Sequence, residues 1–150
     1  MCLRSIDRSS ISACSGADDV TYAEVVEGVR AALAAYTQAL DAGRTDDVVA
    51  TFCPDGACDI PGLGTYEGHD ALRSAFDGWK PRQPQRHLVL NTLVSDWNDH
   101  EAHAVSDVLF ILLGGSGWSI ELVGRYQDTL HRAGDSWRFH RRLAEFVTPS

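Results

Sequence analysis

Helical periodicity in the first half and long alternating segments in the second predict an α+β fold: a cone-shaped, curled antiparallel sheet packed on three N-terminal helices. Apolar residues recur at spacings of three and four as far as Asp41, which is the period of a helix. After Pro84 the period becomes two and holds through four segments, separated by the turn-forming strings "NDH", "GGSG" and "RAGD". Those segments, 86–97, 101–113, 117–132 and 136–147, run 12 to 16 residues, whereas an ordinary strand has about 5–6. Strands of that length twist and curl strongly. Helices closing the concave side leave an interior suited to a small molecule.

In chain order, residues 1–17, "MCLRSIDRSSISACSGA", are Ser-rich and aperiodic and read as a flexible leader. Residues 18–150 read as one domain, with no repeat or linker to divide it. Acids at 18–19 open a long helix, Gly43 stops it, and Val25, Val29, Leu33, Tyr36 and Leu40 form its buried stripe. "TDDVVATF" predicts a short second helix with Thr45 as N-cap. "GACDIPGLGTYEG" predicts a short strand pair, and "GHDALRSAFDGW" a third helix with Leu72, Phe76 and Trp79 facing inward.

The composition is 44% hydrophobic and 23% charged, with a net charge of −8 and a pI near 5.0. An acidic chain lacks the basic surface that nucleic acid requires, and the one basic cluster, "RFHRRL", lies on a predicted strand. No apolar run reaches the length of a membrane span. The four cysteines form no CxxC pair; incidental roles are expected, with a Cys53–Cys58 disulfide left open. "ISAC" resembles a lipid-attachment box, but the polar "RSIDRSS" precedes it, so a cytoplasmic protein is expected.

The string "QPQRHLVLNT" raises the functional question, because alternation puts His87, Val89 and Asn91 on one face of a strand. An imidazole and an amide on a half-apolar face either edge a solvated surface or line a cavity. On the last strand, alternation groups Arg138, His140 and Arg142 against Trp137, Phe139 and Arg141. Parity therefore turns Arg141 inward unless a bulge intervenes. "HEAH" at 100–103 lacks metalloprotease spacing, and its two histidines point to opposite faces, so no metal is expected there. "GLGTYEG" lacks the strand–helix context of a phosphate loop. No cofactor is expected.

The strings "YTQALDAGRTDDVVATFCPDGACDI", "GLGTYEGHDAL", "RHLVLNT" and "GRYQDTLHRAGDSWRFHRRLAEFVTP", in this order and spacing, resemble the superfamily of nuclear transport factor 2, the ketosteroid isomerases and the SnoaL-type polyketide cyclases. The nearest resemblance is to the branch of scytalone dehydratase and hexachlorocyclohexane dehydrochlorinase. That resemblance implies the cone-shaped cystatin-type fold, with His87 as general base and Asp41 holding its tautomer. It also implies Arg142 as the last-strand arginine. Tyr36 stands where the dehydrochlorinase has a basic residue, and a phenol there suits polarising an oxygen. Asn91, Phe52 and Trp79 are expected to touch substrate.

The expected function is that of a cofactor-independent lyase or isomerase, of dehydratase type, acting on a small apolar hydroxylated or carbonyl substrate. The alternatives are a non-catalytic module binding a small ligand or a partner, and a polyketide cyclase-type enzyme. Apolar residues on both faces of the meander, such as Val108 and Phe110 against Leu109 and Ile111, predict a homodimer or homotrimer through the sheet.

Overall fold

A computed structural model describes residues 19–147; the leader read over residues 1–17 lies outside them. Helix α1 (Tyr22–Asp41) starts at a capping box, later than the acids at 18–19 suggested. Thr21 Oγ1 accepts from the Glu24 N–H at 3.3 Å, and the Glu24 carboxylate accepts from the Thr21 N–H at 2.8 Å. Two otherwise orphaned donors are thereby satisfied, which is worth about 1 kcal/mol. The helix stops where expected, because Gly43 adopts φ +68°, a conformation that costs other residues more. The whole predicted stripe is buried, joined by Ala32, Thr37 and Ala39.

In helix α2 (Thr45–Ala50) the N-cap position is held by Arg44 and not by Thr45, with no side-chain capping bond. Thr45 lies one position inside the helix, and its hydroxyl donates to Asp77 Oδ1 of α3 (Gly68–Gly78) at 2.8 Å. Phe52, expected at the end of α2, begins a strand.

Six strands form one sheet in the order β2-β1-β6-β5-β4-β3. They are β1 (Phe52–Ile60), β2 (Gly64–Glu67), β3 (Gln85–Trp97), β4 (Glu101–Gly114), β5 (Gly117–Ala133) and β6 (Ser136–Val147). The four-stranded meander is as expected. The antiparallel expectation needs one correction: β1 joins β6 in parallel, so the sheet is mixed. Parallel pairing between distant segments leaves no turn signal to read, and β1, "FCPDGACDI", lacks alternation. The fold is α+β, a curled mixed sheet packed on helices.

Helix α1 lies across the inner face, against β3 and β6. On β4 that face carries buried Ala102, Ala104, Ser106 and Val108; small residues there let the helix approach. The tightest approach is Gly28 on Trp137, where an added Cβ would come within 2.2 Å of the indole. Gly28→Ala would gain about 1 kcal/mol of helix propensity but overpack a rigid ring, at a cost of about 1–3 kcal/mol. The clash should win, and urea denaturation should show Gly28→Ala to be the less stable chain.

Candidate active site

Asp41 is the last residue of α1, at the end where the helix dipole disfavours an anion. Three donors from β3 offset that. The His87 N–H donates to Oδ2 at 2.8 Å, His87 Nδ1 meets Oδ1 at 2.6 Å, and Gln85 Nε2 donates to Oδ1 at 3.2 Å. The pair is largely withdrawn from water, the His87 side chain being 12% exposed and that of Asp41 8%. A carboxylate on Nδ1 selects the Nδ1–H tautomer of the neutral ring and leaves the Nε2 lone pair free. Phe110, opposite His87 in the β3–β4 register, stacks on the imidazole at 4.6 Å between centroids. Tautomer and ring plane are both fixed.

Asn91 is not brought to this pair. A bulge between Leu90 and Leu93 sets two residues of β3 against one of β4, and Asn91 sits in it at φ +53°. Asparagine tolerates this left-handed backbone better than most residues. The extra residue reverses the parity of β3. Asn91 Nδ2 turns outward and donates to Asp107 Oδ2 at 3.0 Å, beside Arg125 on the outer face. Thr92, which strict alternation would set on the face opposite His87, hydrogen-bonds Ser106 on the inner face at 2.9 Å.

The same device acts on β6. Leu130 pairs with Phe139 and Thr129 with Arg141, so His140 is the inserted residue. Trp137 and Phe139 face inward before it, Arg142 and Ala144 after it, and Arg141 is exposed. Arg142 is fully buried and holds Asp128, its cross-strand partner, through Nε and Nη2 at 2.8 Å each. Its guanidinium lies 4.3 Å from the Tyr36 ring, 3.9 Å from Tyr126 and 4.1 Å from Phe139. Nη1 has no hydrogen-bond partner among the described residues. Burial alone would lower the Arg142 pKa, but the Asp128 carboxylate beside it holds it above its ordinary value. Burial also pushes the Tyr36 hydroxyl well above the usual phenol range, so Tyr36 is a neutral donor.

Phe52 is fully buried, packed edge-on against Tyr36 and tilted against Phe139. It supports Tyr36 as part of the core and does not form an open wall. Trp79 stacks edge-on against Phe76 and Tyr66 and closes the space beside Leu40 and Gly43, which flank Asp41. A cleft of about 370 Å³ opens between α1 and β3, lined by Arg30, Leu33, Ala34, Thr37, Val89, Asn91 and Thr92, so Asn91 borders the cleft although its amide is engaged by Asp107. Thr37 lies one helical turn before Asp41, and Val89 shares the face of His87. Cys53 and Cys58 are free thiols, not a disulfide, and burial raises the Cys58 pKa to about 12.

Sequence reading missed Gln85, Phe110, Tyr126 and Asp128. Gln85 is two residues before His87 on the same strand face, and Tyr126, Asp128 and Leu130 alternate on β5, so parity could have found all three polar groups. Phe110 needed the register.

A curled mixed sheet wrapped around one long helix, with a carboxylate–imidazole pair at the helix end, is a cone-shaped α+β architecture. The chain belongs to the SnoaL-like domain family, whose profile matches residues 21–143. Among solved structures it is similar to a variant of Rv3472, a protein of unknown function from Mycobacterium tuberculosis. That match has 24% identity over 83% of this chain and 73% of the other, and a TM-score of 0.76. A candidate aromatic ring hydroxylase from Novosphingobium aromaticivorans matches at 23% identity over 87% and 94%, TM-score 0.76. A candidate scytalone dehydratase from the same organism matches at 23% over 83% and 85%, TM-score 0.72. No curated protein matches the chain. Among the described residues, no helix is long and apolar enough to cross a membrane.

Removing one member of the buried Arg142–Asp128 pair strands the other charge, at a cost of about 3–5 kcal/mol. Asp128→Ala should lose that much in urea denaturation. Asp128→Leu combined with Arg142→Met should recover most of it.

Proposed function

We propose that the protein is a cofactor-independent lyase of dehydratase type, acting on a small, largely apolar molecule with a hydroxyl β to a carbonyl. The observation that carries this reading is the 2.6 Å contact from His87 Nδ1 to Asp41, which leaves Nε2 without a hydrogen-bond partner among the described residues. In this reading Nε2 takes the proton from the carbon between carbonyl and carbinol, and Asp41 stabilises the imidazolium that forms. The C–O bond then breaks, and the hydroxyl leaves as water with the proton returned by His87. Tyr36 and Arg142 Nη1, which has no hydrogen-bond partner among the described residues, serve as donors to substrate oxygens. The likeness to a candidate scytalone dehydratase and a candidate aromatic ring hydroxylase favours a ring-bearing substrate. Cytoplasmic action belongs to the same proposal.

One observation favours the alternative, a module that binds a ligand without turnover. The interior around Tyr36 is filled by Phe52, Phe76, Tyr126 and Phe139, and the residues lining the α1–β3 cleft do not include Tyr36, Asp41 or His87. A panel of cyclic β-hydroxy ketones, followed by the absorbance of the conjugated product, separates the two readings. Turnover that falls on the order of 10²–10⁴-fold in His87→Ala supports the lyase, and Asp41→Asn should fall with it. Turnover unchanged in His87→Ala, or tight binding with no product from any member, sinks it.

A homodimer or homotrimer through the outer face of the sheet is proposed with it. Leu88, Leu90, Leu93, Trp118 and Ile120 are exposed there, and apolar side chains grouped on one sheet face commonly mark an interface. Sedimentation velocity at micromolar concentration should show a species heavier than 16.4 kDa; a single monomer boundary contradicts the idea.

A further inference from the structure

Away from the α1–β3 cleft, three strands converge on a second cluster. Cys53 at the start of β1, His131 near the end of β5 and His140 in the β6 bulge each place one potential ligand atom within 4.8 Å of the others. We propose that Cys53, His131 and His140 form a binding site for a zinc-class divalent ion, one that accepts thiolate and imidazole together.

The donor set is the first support. One sulfur and two imidazole nitrogens suit zinc or cobalt and are poor ligands for magnesium or calcium, which take oxygen. The surroundings are the second. His131 Nε2 is engaged by Glu101 Oε2 at 3.0 Å, which leaves Nδ1 as its ligand atom and supplies the carboxylate that commonly steadies a metal-bound histidine. Glu101 is itself held by His103 Nε2 at 3.0 Å. His140 Nδ1 is a buried atom with no hydrogen-bond partner among the described residues, so it meets no competing donor. Asp55 Oδ1, 3.8 Å from that nitrogen, is in reach as a fourth ligand, or a water completes the tetrahedron.

The geometry requires a modest closure. Tetrahedral zinc holds nitrogen at about 2.0–2.1 Å and sulfur at about 2.3 Å, so its ligands stand about 3.4–3.7 Å apart. The two imidazoles are stacked, with centroids 4.1 Å apart and planes 13° from parallel. A shared ion must splay them, and both side chains are 37% exposed and have room to turn. Binding replaces the thiol proton of Cys53, which goes to solvent, so affinity rises with pH. Sequence spacing conceals the site, because its ligands come from three strands that meet only in the folded sheet. A bound ion would clip β1, β6 and β5 together at the bulge that turns Arg142 inward.

The test uses the full chain carrying Cys2→Ser and Cys14→Ser, stripped with chelator and titrated with Co²⁺. One equivalent should raise a thiolate-to-cobalt charge-transfer band and the visible bands of tetrahedral cobalt. The band should vanish in Cys53→Ser and persist in Cys58→Ser. His140→Ala should weaken binding at least about tenfold, and Glu101→Gln by about tenfold, as loss of an outer partner does elsewhere. His140→Ala removes only a half-exposed ring, so it remains informative if Cys53→Ser fails to fold. No band with the parent chain, a band surviving in folded Cys53→Ser, or unchanged affinity in His140→Ala overturns the proposal.

Discussion

A charge pair sealed among aromatic rings organises the interior. Desolvating a guanidinium and a carboxylate costs several kcal/mol per ion, so Arg142 and Asp128 are tolerable only with close geometry and other partners. The pair has both: two bonds at 2.8 Å and ring faces on Tyr36, Tyr126 and Phe139. It fixes the register of β5 against β6, because a one-residue slip would set Arg142 against a different residue and send its charge to the other face. It also fixes α1, whose Tyr36 rests on the guanidinium. A helix transmits that placement rigidly over the next turn and a half to Asp41. The position of the carboxylate that holds His87 therefore depends on a contact made elsewhere in the cone.

The parts legible in the sequence are those governed by local period. The stripe from Val25 to Leu40, the stop at Gly43 and the four strands with their turns all follow from spacing and turn chemistry. The juxtaposition of Asp41 and His87 came from family resemblance and not from periodicity, since nothing local links the end of a helix to a strand 46 residues on. The bulges at Asn91 and His140 were not legible. Each inserts one residue, and one residue reverses every facing assignment after it. There were hints: asparagine is uncommon inside a strand and tolerates a left-handed backbone, and "RFHRR" sets three polar residues in a row where strict alternation allows one. Arg142 was reached only by setting resemblance against parity, and the inserted His140 reconciles them.

The site is therefore assembled by irregularities as much as by regular elements. A regular β3 would carry Asn91 inward and Thr92 outward, and would leave Ser106 without its hydroxyl partner. A regular β6 would bury Arg141 and expose Arg142, leaving Asp128 alone in the core. Irregular strands of this kind bend and twist more sharply than regular ones. The insertions that aim these side chains also curl the sheet around α1.

The free edge of the sheet is β3, a strand of 13 residues with Leu88, Leu90 and Leu93 exposed. A flat edge of that length and apolarity would present a row of unpaired amides and carbonyls on which another chain's strand could grow. The register shifts at Leu90–Leu93 and Val94–Asp96 break the row twice, and the left-handed turn at Asn91 twists it away from any straight partner. At the other edge, β2 is only four residues long. Kinks that serve the interior thus also guard the outside, keeping a long apolar strand from templating fibrils.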